Sequence, residues 1–166
     1  MQKASELIEK LKLIPHPEGG FYREFYRSEH LLTEKALPKG FQNTKNLGSI
    51  IYYMLKSNDV SAYHKLRSDE IWHFHAGSPF ILHLIDNEGS HKKIYLGNRI
   101  DLGEVPCFVI PAGFYFGAEV SEENSYALAS CTVLPGFSFE DFEMPTADKL
   151  MSIFPHLEQE IKHLSK

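Results

Sequence analysis

The stretch Ser61–Ile85, "SAYHKLRSDEIWHFHAGSPFILHLI", decides how the rest of the chain is read. It holds apolar, β-branched and aromatic residues in short runs, and Gly77-Ser78 divides two of those runs. On a strand, Glu70, Trp72 and Phe74 share one face, and Ile71, His73 and His75 share the other. Gly77-Ser78 suits a hairpin turn. A hairpin centred there pairs Phe74 with Ile81 and Trp72 with His83, all on one face. His64 lies six residues before Glu70, and Gly77 lies seven after it. Glu70 is thus predicted to share its face with Trp72 and Phe74.

The same texture runs outward from this stretch. Strands are predicted near residues 20–28, 47–56, 60–66, 70–76, 80–86, 91–96, 107–110, 114–120 and 125–134. Gly, Pro, Asn and Asp separate them, a spacing typical of a sandwich or barrel. In "VIPAGFYFGAEV", Pro111-Ala112-Gly113 makes a tight turn before the strand from Phe114 to Val120. Residues 4–13 read as a helix with Ser5 as its cap, ended by Pro15 and Pro17. After "PGFSFEDFEMP", Thr146 caps a helix over "ADKLMSIFP", and "HLEQEIKHLSK" closes the chain. The expectation is a single domain over residues 1–166, mainly β, with one N-terminal helix and C-terminal helices.

Composition narrows the function. The chain has 166 residues, of which 43% are hydrophobic and 23% charged, so it can bury a full core. Its net charge is −5, and no basic run stands out, which disfavours nucleic acid as a partner. No apolar run has the length of a membrane span. The charged opening "MQKASELIEKLKLI" does not read as a signal peptide. Cys107 and Cys131 are far apart and read as small buried residues of a cytoplasmic protein.

Two patches resemble the cupin superfamily. "HKLRSDEIWHFHAG" looks like its first motif, and "VIPAGFYF" looks like its second. With "PHPEGGFYRE" and "PGFSFEDFE", the likeness is to small single-domain cupins of undefined function. It implies a cupin-type jelly-roll β-barrel and a homodimer. Metal-dependent cupins use three histidines and one glutamate. Here His64 and Glu70 match two of those positions, while Leu66 and Phe116 stand at the other two. No metal and no other cofactor is therefore expected, since two ligands do not define a first-row metal site. His64 and Glu70 remain as an acid/base pair suited to proton abstraction beside a carbonyl.

"PHPEGGFYREFYRS", residues 15–28, adds a strand with aromatics and charges on both faces. Regular alternation puts Phe21, Arg23, Phe25 and Arg27 on one side and Tyr22, Glu24 and Tyr26 on the other. It also resembles a ligand-holding strand of the metal-free sugar-nucleotide 3,5-epimerases, matching at Gly20, Phe21 and Glu24. That likeness implies substrate contacts from Glu24; its Arg before the Gly is absent here, and Arg23, which lies later, is the candidate anion anchor of the leading hypothesis. Trp72, Phe74, His83 and Phe116 complete the candidate substrate-binding set. The leading expectation is a metal-independent isomerase or epimerase acting on an unidentified sugar-like or polar carbonyl compound. The alternatives are a non-catalytic ligand-binding module and a degenerate metal-dependent oxygenase.

Overall fold

A computed structural model describes residues 4–165. Helix α1 (Ala4–Leu11) comes first. Strands β1 (Ile14–Pro15), β2 (Phe21–Arg27), β3 (Leu31–Leu32), β4 (Lys45–Asn46) and β5 (Ser49–Lys56) follow. Next come β6 (Ser61–Leu66), β7 (Asp69–Gly77), β8 (Phe80–Ile85), β9 (His91–Leu96), β10 (Cys107–Ile110), β11 (Tyr115–Val120), β12 (Tyr126–Leu134) and β13 (Phe142–Glu143). Helices α2 (Ala147–Ile153) and α3 (Glu158–His163) end the chain. Every predicted strand is present. The two-residue strands β1, β3, β4 and β13 carry too little pattern to be read from sequence. Ser5 lies inside α1 rather than capping it. The helix stops at Leu11 because Lys12 takes a left-handed turn, with Leu13 N–H donating to Ile8 O. Thr146 caps α2 as predicted, accepting from Lys149 N–H.

The strands form two main antiparallel sheets, a jelly roll that is mainly β. One is ordered β1-β2-β5-β12-β7-β10, the other β13-β6-β11-β8-β9. They face each other without hydrogen-bonding into a closed barrel. Tyr53, Leu55, Trp72, Ile110, Ala129 and Cys131 from the first sheet meet Leu66, Phe80, Leu82, Leu84, Phe116 and Ala118 from the second. Helix α1 covers the outer face of the first sheet through Leu7, against Met54 and Leu128. The C-terminal helices cover the outer face of the second, where Leu150, Ile161 and Leu164 pack on Tyr63, Ile85 and Tyr115.

The predicted β7–β8 hairpin does not form. β7 pairs with β12 and β10, while β8 pairs with β11 and β9. Gly77, at φ +92°, is the corner where the chain leaves one sheet for the other. A Cβ there would sit 2.0 Å from Tyr126 O, so only glycine lets the two backbones approach. Trp72 is consequently opposite Cys131 and Phe108, not His83.

Three bulges break the period-2 reading; one leaves His75 extra in β7, and the two beside the site lie in β2 and β6. In β2, Glu24 pairs with Ile51 and Tyr26 with Ile50, so Phe25 is the extra residue. In β6, His64 pairs with Phe116 but Ser61 pairs with Ala118, which leaves one residue extra between them. Each of these two bulges turns two residues spaced three apart onto the same face. Cys131 is buried as expected, but Cys107 is exposed on β10, at the edge of its sheet.

Candidate functional site

A cavity of about 510 Å³ opens at one end of the core. Among its walls are His16, Glu18, Tyr22, Glu24, Arg27, Tyr53, His64, Glu70, Trp72 and Phe142. Its buried acidic centre starts from the loop "PHPEGG". That loop is pinned by His16 N–H to Gly20 O, Gly19 N–H to His16 O, and Ala62 N–H to Glu18 O. Gly20, at φ +68°, lies where a Cβ would come within 2.5 Å of Met54 O. The tight loop thus presses onto β5 and drives the Glu18 side chain inward, where it is buried.

Glu18 meets β6 at its bulge. Ser61 Oγ donates to Glu18 Oε1 at 3.0 Å, and His64 Nε2 lies 3.1 Å from Glu18 Oε2. His16 Nδ1 stands 3.5 Å from the same Oε2. His64 Nδ1 is 2.8 Å from Ala62 O. A carbonyl oxygen only accepts, so Nδ1 carries a proton. The short Nε2–Oε2 contact then needs a second proton between imidazole and carboxylate. The pair is either Glu18⁻ with imidazolium or neutral acid with neutral imidazole. Phe116 tilts against the His64 ring, centroids 4.0 Å apart, and Phe142 lies at 5.4 Å.

Glu70, on β7, faces the same cavity and is buried. Burial, and then the nearby Glu18 carboxylate, push its pKa up to about 8, while Cys131 and Trp72 oppose the rise weakly. Glu70 is therefore a neutral acid at pH 7. The expected His64–Glu70 pair is corrected in its partner. Both line one cavity, but the carboxylate hydrogen-bonding His64 is Glu18.

The remaining candidates divide. Glu24 and Trp72 line the cavity as expected. Arg23 does not. The β2 bulge puts Arg27 on the inner face instead, where its Nε and Nη2 clamp the Glu24 carboxylate at 2.8 and 2.6 Å. Arg27 Nη1 donates to Asn46 Oδ1 and Phe137 O. Arg23 lies over the Tyr52 ring, 5.8 Å from its centroid. Phe74 packs against the core away from the cavity, and Phe116 backs His64 without lining it. His83 is on the wrong face. Phe80, Leu82 and Leu84 point inward on β8, so His83 points out beneath the C-terminal helix and pairs with Glu119.

The donor set at the metal position of metal-dependent cupins does not fit a metal. Leu66 and Phe116 offer no ligand atom, and His64 Nε2 is engaged by Glu18. Glu18 and His16 were missed in sequence because they sit in a loop before the strand pattern begins. The available signal was an acid and an imidazole two residues apart, bracketed by two prolines and two glycines.

Comparison with known proteins places these residues in context. The family model described as Cupin superfamily (DUF985) matches residues 5–145. A relative named "Uncharacterized protein YML079W", from Saccharomyces cerevisiae, is 31% identical over 168 residues, covering 96% of this chain and 78% of its own. A hypothetical protein from Leishmania major superposes with a TM-score of 0.89 at 34% identity, covering 99% of both chains. Protein SO0799 from Shewanella oneidensis does so with 0.89 at 37% identity, covering 100% of this chain and 99% of that one. Oxalate decarboxylase from Bacillus subtilis, in its structure at pH 4.6, shares the fold alone, with a TM-score of 0.55 at 18% identity over 90% of this chain and 36% of that one.

Proposed function

The chain belongs to the cupin superfamily (DUF985), and from that premise we propose that its cavity binds a small neutral carbonyl compound and moves a proton on the carbon beside the carbonyl. One observation carries the reading: two buried carboxyls line one cavity in opposite roles. Glu18 shares a proton with His64, while Glu70 is kept protonated. A hydrogen-bonded carboxylate and a protonated carboxyl on one cavity are suited to base and acid work. In the ion-paired form, a Glu18 oxygen takes the α-proton and the His64 imidazolium compensates the charge. The C–H electron pair moves into the enol double bond, and Glu70 O–H protonates the carbonyl oxygen. Glu70⁻ then takes back a hydroxyl proton, while Glu18, directly or through water, returns its proton to carbon: on the opposite face of the same carbon this gives the epimer, and at the former carbonyl carbon of an enediol it gives the isomer. The base role that the sequence reading gave to His64 passes in this mechanism to Glu18, and His64 is its charge partner.

The walls argue for a neutral ligand. Glu18, Glu24, Glu70 and Glu140 line the cavity, and the Arg27 guanidinium is committed to Glu24, Asn46 and Phe137. A phosphorylated or nucleotide-linked substrate would meet carboxylates without an available guanidinium. Tyr22, Tyr53, Trp72, Phe137 and Phe142 offer apolar and stacking surface to a sugar ring or a similar frame.

The test is proton exchange in deuterated water with a panel of neutral keto-sugars and α-hydroxyketones, followed by loss of the α-C–H signal in NMR. Exchange by the wild type that falls ~10²–10⁴-fold in Glu18→Gln and Glu70→Gln supports the reading. Saturable binding of a panel member with exchange no faster than buffer replaces it with a pure binding module, the second reading. Phe116 packed on the His64 ring favours that second reading, because it limits the ring's movement.

A further inference from the structure

On the outer face of the second sheet, three side chains from three elements converge outside the cavity. His83 comes from β8, Glu119 from β11 and His163 from the last turn of α3. His83 Nε2 lies 3.0 Å from Glu119 Oε1, and His163 Nε2 lies 2.8 Å from Glu119 Oε2. One ligand atom from each falls within 4.8 Å of the others. We propose that His83, Glu119 and His163 bind one divalent first-row cation of the zinc class, which ties α3 to the sheet.

Four features support this site. First, two imidazoles and a carboxylate with an open fourth position form a donor set zinc accepts. Bonds of ~2.05 Å in a tetrahedron set neighbouring ligand atoms about 3.3 Å apart, so the contacts at 3.0 and 2.8 Å must open slightly while the rest of the set, now within 4.8 Å, closes on one oxygen of Glu119. Second, His83 is held for the task. Its Nδ1 is 3.3 Å from His91 Nε2; when a cation displaces the proton between Nε2 and Glu119 Oε1, Nδ1 carries the remaining proton and donates it there, leaving Nε2 as the metal-facing lone pair. Third, His83 is buried against the sheet, so packing fixes the ring that carries Nε2. Fourth, the helix is already in contact with the sheet at this point. A Cβ on Gly117 would come within 3.0 Å of Leu164 Cδ1, so α3 rests on bare backbone two residues from Glu119.

The surrounding charges nearly balance. Lys93, opposite His83 on β9, repels a cation, and Glu160 on α3 attracts one. The site is independent of the cavity, since β8 and β11 present Leu84 and Phe116 inward and His83 and Glu119 outward.

The test uses untagged full-length protein stripped with chelator and titrated with zinc chloride by calorimetry at pH 7.5. The expected result is one equivalent bound with micromolar or tighter affinity. Hydrogen-exchange protection over residues 158–164 should rise on zinc addition. Affinity should fall at least ~10-fold in His163→Ala and in Glu119→Gln, and stay unchanged in Glu70→Gln. His163 is exposed, so its replacement should leave the circular dichroism spectrum intact and separates lost ligation from lost folding. Absence of saturable binding below millimolar zinc overturns the proposal. So does binding that survives His163→Ala, or binding that is lost in Glu70→Gln.

Discussion

At the residue scale, Glu70 makes the sharpest prediction because its environment is one-sided. Burial holds it neutral to about pH 8, whereas in the unfolded chain it ionises near the ordinary carboxylate value. Between those values the folded state binds the extra proton, so this group makes stability fall as pH rises through that window. Glu70→Gln keeps the shape and removes the titration. It should flatten the slope between roughly pH 4.5 and 8 in urea unfolding. An unchanged slope would show that Glu70 is not the group responsible. For catalysis the same proton is the acid, so turnover should decline above about pH 8 as Glu70 ionises. His64 and Glu70 were legible because their stretch resembles the first cupin motif, whose His and Glu positions they occupy. Glu18 was not, because a loop carboxylate has no period, and only the folded loop shows that it is buried against Ser61 and His64.

At the element scale, the two bulges beside the site explain what alternation misread. Counting by twos puts Arg23 with Arg27 and separates Arg27 from Glu24. One extra residue at Phe25 reverses that and builds the Glu24–Arg27 clamp at the cavity wall. The β6 bulge likewise brings Ser61 and His64 to the two oxygens of one carboxylate. A bulge costs one ladder pairing and leaves no reliable composition signal, so it is invisible to a period-2 count. The strands themselves were legible because each has four or more residues of β-branched and aromatic pattern. Their pairing was not: Gly77-Ser78 has the composition of a hairpin yet serves as a corner between sheets. Gly77→Ala tests that assignment. The left-handed conformation alone costs about 1–2 kcal/mol for a residue with a Cβ. The clash with Tyr126 O adds to it, and rigid backbone cannot step aside. Thermal unfolding should show a loss of at least that size. A neutral result would mean the corner relaxes without cost.

At the scale of the whole molecule, each sheet has one face in the shared core and one under helix, yet part of β2 escapes both. Phe21 reaches the α1 cluster, and Tyr22 and Glu24 reach the cavity. Beyond the bulge, Phe25 stacks on Tyr52 with centroids 4.2 Å apart but stays 43% exposed, and Tyr26 is 50% exposed. Leu31 and Leu47 are exposed on the neighbouring segments, where Leu47 N–H donates to His30 O. Water is a poor partner for such a group of large apolar side chains. A second copy of the chain would cover it through a two-fold contact, the commonest symmetry of homo-oligomers. The contact would run beside Glu24 and Arg27, so assembly and cavity would share an element. We expect a dimer at micromolar concentration in light scattering, and a shift toward monomer in Tyr26→Lys. That position is exposed, and the change should leave monomer stability within about 0.5 kcal/mol, as surface substitutions do. A monomeric wild type would remove the covering copy, and a dimer unmoved by Tyr26→Lys would place the interface on another face.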